Sequence, residues 1–164
     1  DRGGWDASNA RMLLRRAAAS GAPLAAVAFG NEIGGERAIE VHLTPAQYAA
    51  GLGQLQALVD DVWGATGSRR RPPPRVLGPN AQWDAPWVGE LMRLAPRAAV
   101  LSHHLYPLGA GSLDASELAS KVLRPDFLDK LKAVASGIQG QLRGAARNGS
   151  MPRGAAAGGG GGGG

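Results

Sequence analysis

Cysteine is absent from the 164-residue sequence, and aromatic residues are scarce: two Phe, two Tyr and four Trp. Without a thiol there is no disulfide framework, no thiolate nucleophile and no thiolate metal site. Long apolar runs are missing as well. No stretch approaches the roughly 18 uncharged apolar residues of a membrane span, so no transmembrane segment is expected in this chain. Lysine is rare, three residues against 15 Arg, and with 13 acidic residues the formal net charge is +5. Such a balance either favours an anionic partner, nucleic acid or acidic polysaccharide, or reflects an Arg- and Ala-biased composition. The Arg69-Arg70-Arg71 run beside Pro72-Pro73-Pro74 lacks interleaved aromatics and reads as a charged loop, so a nucleic-acid partner is not expected. There is no phosphate loop. Gly51-x-Gly53 lies inside a predicted helix, without the strand-then-glycine context of a dinucleotide site, and no cofactor is expected.

What is present is an alternation. Ser8–Ser20 reads as a helix with Ser8 as N-cap and Gly21 as left-handed C-cap residue. Leu24–Phe29 is a short continuous apolar run, the pattern of a strand buried on both faces of a parallel sheet. Thr44-Pro45-Ala46-Gln47 forms a capping box, and Leu52, Leu55, Leu58, Val59 and Val62 follow at helical spacing. Arg75–Gly78 is a second short strand ending in Pro79-Asn80, and Asp84 caps a helix to about Leu94. Ala98–Leu101 is a third strand, running into Ser102-His103-His104. Asp114–Glu117 is another capping box, and Pro125 opens a longer helix to about Leu142.

One helix between successive strands requires right-handed parallel crossovers, either in a doubly wound sheet or in part of a barrel. Residues 1–143 are expected to form one α/β unit, about three parallel strands with flanking helices. Residues 144–164 read as a Gly/Ala-rich disordered tail. The chain opens on Asp1 with no basic-then-apolar leader and closes on Gly158–Gly164, so both ends read as cut. Asn148-Gly149-Ser150 matches an N-glycosylation acceptor, a pattern with many false positives.

Polar residues capable of chemistry gather at predicted strand ends: Asn31-Glu32, then Asn80, then His103, His104 and Tyr106. In parallel α/β architectures these ends open on one face, where active sites are built. Glu32 follows the apolar wall of Phe29, a setting in which desolvation raises a carboxyl pKa towards acid catalysis; by position alone it is equally the first residue of a polar loop. Asn31 beside it can orient a sugar hydroxyl or hold a carboxyl group. His103 and His104, adjacent on a strand, point to opposite faces and do not make a metal pair; His42 is the remaining histidine, and no metal site is expected. The four Trp are candidates for stacking on sugar rings, Trp63 excepted as core.

In this order the residues resemble the heparanase-like glycoside hydrolases, particularly their plant-type members. The resemblance rests on six stretches: Trp5–Ala10 with Leu13-Leu14, Phe29–Glu32, His42–Tyr48, Val76–Pro79, His103–Gly109 and Val122–Leu128. It covers residues 5 to about 132. It implies a (β/α)8 barrel, of which this chain is a central fragment, and a retaining mechanism on a β-linked uronic acid. It further implies Glu32 as general acid/base, Asn31 beside it on the sugar, and His103, His104, Tyr106 and Asn80 as substrate-binding residues. The implied partner is an anionic polysaccharide or glycoprotein glycan, in the secretory pathway, outside the cell, or at a wall or membrane surface. Two stretches depart from the family: Asn80 stands where members carry an acid, and Ile33-Gly34-Gly35 gives a different loop. A retaining enzyme also needs a carboxylate nucleophile. After His104 the acids are Asp114, Glu117, Asp126 and Asp129, all expected in helical caps or faces, so no nucleophile is expected in this chain. The alternative is a non-catalytic carbohydrate-binding or scaffolding protein.

Overall fold

A computed structural model describes residues 4–21, 23–39, 41–65, 72–95, 100–109 and 114–147. The chain divides into two compact units, Asp1–His103 and His104–Gly164.

In the first unit the order is α1 (Ser8–Ser20), β1 (Ala26–Ala28), α2 (Pro45–Ala65), β2 (Arg75–Gln82), α3 (Ala85–Leu94) and β3, which starts at Val100 and ends at His104. The strands form one parallel sheet in the order β1-β2-β3, with helices between them. This is the partial (β/α)8 arrangement the sequence predicts. The core lies where the helical stripe of α2 meets the sheet: Tyr48, Leu52, Leu55, Val59 and Val62 pack with Leu14 of α1, Phe29, Val76 of β2 and Leu91 of α3. Removing such side chains from water is the main term stabilising the unit.

The local signals act as expected at α2 and α3. Thr44 Oγ1 accepts from the Gln47 amide at 3.2 Å, while Gln47 Oε1 accepts from the Thr44 amide at 2.9 Å. Asp84 is the N-cap of α3 and accepts from the Trp87 amide at 3.1 Å. Helix α1 differs. Ser8 is already its first residue, and Asp6 Oδ1 accepts both the Ser8 amide (2.9 Å) and the Ser8 hydroxyl (2.5 Å). A carboxylate beats a hydroxyl as acceptor for orphan amides at a positive helix end.

The strands also differ from expectation. β1 is shorter than Leu24–Phe29, and Ala28 is exposed, so it is not buried on both faces. It forms one edge of the sheet, and its small alanines leave little to cover. β2 continues past Pro79-Asn80 to Gln82, through a cis Gly78–Pro79 bond. Asn80 is therefore inside the strand, held by neighbours on both sides. β3 holds Ser102, His103 and His104 within the strand, whereas residues 96–99 lie outside the described residues.

In the second unit α4 (Ala115–Val122) carries the predicted capping box: Asp114 Oδ1 accepts from the Glu117 amide at 2.8 Å, and Glu117 Oε2 from the Asp114 amide at 3.2 Å. Helix α5 (Phe127–Arg147) starts two residues after Pro125, because Arg124–Phe127 closes a turn first. It runs to Arg147, beyond Gly144. The Gly/Ala tail from 148, Asn148-Gly149-Ser150 and the Arg69–Arg71 run lie outside the described residues. Among the described residues no helix is long and apolar enough to cross a membrane.

Candidate active site

The turn after β1 is set by Gly30. Its φ is +67°, and a Cβ there would lie 2.2 Å from Ile33 Cδ1, so no other residue fits without moving the isoleucine. The chain then passes Asn31, which is exposed, and reaches Glu32. Among the described residues Glu32 is the one buried charged side chain, only 6% exposed. Its φ is +53°, a left-handed backbone unusual for a residue that is neither Gly nor Asn. Both of its main-chain groups are tied: the amide donates to the Asn80 carbonyl at 2.7 Å, and the carbonyl accepts from the Ile39 amide at 2.6 Å.

Asn80 on β2 also has a left-handed φ, +49°. Its amide donates to Ser102 Oγ at 3.2 Å, and the same hydroxyl donates to Asn80 Oδ1 at 2.5 Å. Asn80 Nδ2 donates to the Gly30 carbonyl at 3.4 Å. The Asn80 side chain thus links the ends of all three strands.

Behind this mouth runs a ladder of edge-to-face rings, Trp5–Phe29–Tyr48–Trp87, with centroids 5.1 to 5.4 Å apart. The Tyr48 hydroxyl donates to the carbonyl of Phe29 and lies 3.1 Å from that of Pro79. Burial pushes the Tyr48 phenol well above its ordinary pKa. Trp5 and Trp87 therefore belong to the core rather than to a sugar platform, and Trp63 packs against the same core. Trp83 is different: just past β2, its ring meets the His103 imidazole edge-on at 5.9 Å.

The structure thus brings together Glu32, Asn80 and, through Ser102, the strand that also carries His103. The other predicted residues, His104 and Tyr106, belong to the second unit and contact each other there, with Tyr106 Oη 3.3 Å from His104 Nδ1 and their rings 6.0 Å apart. The adjacent histidines accordingly have different neighbours, as alternation along a strand requires. Among the described residues no group of three His, Asp or Glu is placed to hold a metal ion. Ser102 is the residue that sequence reasoning did not single out. Its signal was faint: a lone hydroxyl in an apolar strand, one residue before a His-His pair.

Residues 1–164 match the description "Glycosyl hydrolase family 79, N-terminal domain". The chain belongs to glycosyl hydrolase family 79. The partial barrel is that of a heparanase-like member of the family. The chain is 30% identical over 139 residues to baicalin-beta-D-glucuronidase of Scutellaria baicalensis, a match covering 84% of this chain and 25% of that protein. It is 28% identical over 134 residues to heparanase-like protein 2 of Arabidopsis thaliana, covering 80% and 24%. It spans about a quarter of the length of these curated relatives.

Proposed function

We propose that this family 79 chain supplies the general acid/base of a retaining glycoside hydrolase that cleaves a β-linked uronic acid, and that Glu32 is that residue. The observation that carries the reading is the buried Glu32 carboxyl at the mouth of a parallel strand, on a backbone fixed at both its amide and its carbonyl. Active sites of barrels are assembled at this strand end. Removal from water disfavours the charged form of a carboxyl and so favours the protonated form a proton donor needs. In the first step Glu32 donates its proton to the glycosidic oxygen while a carboxylate nucleophile attacks the anomeric carbon. In the second, Glu32 takes a proton from water as that water displaces the sugar from the nucleophile.

Glucuronidase appears in the name of one relative and heparanase in that of the other, which supports a uronic acid at the reacting position. The net charge of +5 suits an anionic glycan. Asn31, exposed beside Glu32, is assigned to a sugar hydroxyl. Asn80 and His103 of the first unit are assigned to substrate binding, with Asn80 acting chiefly through Glu32; His104 and Tyr106 of the second unit are assigned to substrate binding on the family resemblance alone. Such glycans are met in the secretory pathway or at the cell exterior, where we place the protein.

The nucleophile has to be a second carboxylate about 5–5.5 Å from the first. Asp84, the described acid nearest the end of β2, is engaged in capping α3 and in accepting the Glu36 amide at 3.2 Å. We assign the nucleophile to none of the described residues, and expect the chain by itself to turn over glucuronides little or not at all.

The test uses aryl β-glucuronides with good and poor leaving groups and a complete family 79 barrel in which this chain is joined to the nucleophile-bearing remainder of a relative, with and without Glu32→Gln. Turnover of the poor leaving groups falls by about 10²- to 10⁴-fold in E32Q, and the good ones suffer less. Equal, measurable turnover in both forms of that barrel overturns the assignment. Glucuronide binding without any turnover that depends on Glu32 supports the carbohydrate-binding alternative.

A further inference from the structure

Among the described residues, two non-glycine residues hold a left-handed backbone, Glu32 and Asn80, and they are hydrogen-bonded to each other. Such conformations persist only when the surroundings over-determine them, and they cluster at functional sites. Asparagine adopts the conformation readily; glutamate has no comparable local compensation. Glu32 is held on its carbonyl side by the Ile39 amide and on its amide side by Asn80, and the question becomes what holds Asn80.

The answer is one hydroxyl. An amide N–H can only donate and the Asn Oδ1 can only accept, so the Ser102 proton must point at Oδ1 while the oxygen takes the amide. This two-point grip fixes both the main chain and the side chain of Asn80. It turns the Asn80 carbonyl onto the Glu32 amide, and the Asn80 Nδ2 onto the carbonyl of Gly30, two residues before Glu32. The turn carrying Glu32 is thus held at two points by a residue that is itself held at two points.

We propose that Ser102 is a positioning residue for the acid/base: through Asn80 it fixes the Glu32 turn, and with it the direction in which the Glu32 carboxyl delivers its proton. The inference rests on the acid/base reading of Glu32 given above. Ser102 is not assigned contact with substrate.

Amide exchange and the titration of the ¹³C-labelled Glu32 carboxyl, both followed by NMR in the whole chain, test the coupling without turnover. In Ser102→Ala the amides of Glu32 and Asn80 exchange about tenfold faster or more, while those of Leu55 and Val59 in α2 keep wild-type protection. The Glu32 titration midpoint moves as well. Ser102→Thr keeps the hydroxyl on a side chain suited to a strand and restores both readouts. Should S102A fail to fold, Ser102→Cys keeps the volume with a much weaker donor and acceptor, and gives the same result in milder form. Where turnover is measured, S102A lowers kcat on poor leaving groups and shifts its pH profile, with KM little changed. Wild-type exchange at Glu32 in both S102A and S102C overturns the proposal, as does faster exchange spread evenly over the unit. The two readings fail separately: fast Glu32 exchange in S102A with full activity in E32Q overturns only the catalytic role, and an inactive E32Q with an unmoved Glu32 amide in S102A overturns only the role of Ser102.

Discussion

The hydroxyl of Tyr48 in α2 donates to the main-chain carbonyl of Phe29, the residue that continues the ladder of β1 by donating its own amide to Leu77. The same hydroxyl lies 3.1 Å from the carbonyl of Pro79 in β2. A helix side chain thus ties two strands together three residues before Glu32. Tyr48→Phe keeps the ring contacts with Phe29 and Trp87 but strands two buried carbonyls, and is expected to cost about 1–3 kcal/mol, read as a lower urea midpoint.

The pH dependence of this tie has a definite sign. Burial raises the Tyr48 pKa in the folded chain above the roughly 10 of an unfolded tyrosine. Its contribution is complete below pH 10 and is lost as pH climbs from there towards the folded value, because the unfolded chain then releases a proton that the folded chain retains. Between pH 8 and 10.5 the wild type should lose more stability than Y48F, and parallel losses would contradict this.

Two glycines of α2 give opposite expectations from one helix. A Cβ on Gly51 would lie 2.2 Å from the Phe29 ring, whereas nothing lies within 4 Å of one on Gly53. Gly51→Ala should destabilise by about 1–3 kcal/mol through overpacking. Gly53→Ala should stabilise by about 0.5–1 kcal/mol through helix propensity. Thermal melts of the two variants would show opposite displacements.

Asp84 serves two segments, accepting the Trp87 amide at the start of α3 and the Glu36 amide in the loop after Glu32. Asp84→Ala should cost about 1–2 kcal/mol, and Asp84→Asn, which keeps a capping oxygen, clearly less. Chemical denaturation measures both.

In the second unit Lys130 and Arg124 hold the Asp126 carboxyl down to about 2. A depressed carboxylate contributes stability above its ordinary value, and this is lost as pH falls from about 4 through 2. The group is exposed, so the effect should be screened: Lys130→Ala or molar salt should bring the NMR titration of Asp126 back towards the ordinary range.

The parts of this fold legible in the sequence are those written within a few residues. The Thr44–Gln47 and Asp114–Glu117 boxes close over three residues, and the stripe of α2 repeats along one helix. The alternation of short apolar runs and helices was enough for the parallel sheet. Glu32 was legible because a carboxylate after Phe29-Gly30-Asn31 is unusual in an apolar context. What escaped depends on distant partners. Pro79-Asn80 reads as a strand end, because both residues favour turns, yet β2 continues since its neighbours supply the bonds. Ser102 and Asn80 are 22 residues apart, and Tyr48 is 19 from Phe29 and 31 from Pro79. No local pattern encodes such pairs. The exposure of β1 likewise follows from its place at the sheet edge, which a run of apolar letters does not reveal.

The loop that leaves Glu32 is pinched shut at its base. Gly34 and Leu43 form a parallel bridge, the Leu43 amide reaches the Ile33 carbonyl at 2.9 Å, and the Trp87 indole clamps the Leu43 carbonyl at 3.0 Å. Beyond this neck Val41 and His42 stand exposed, while the Ile39 amide still reaches back to the Glu32 carbonyl. Side chains at those two positions can therefore be exchanged at little cost to the turn that holds Glu32.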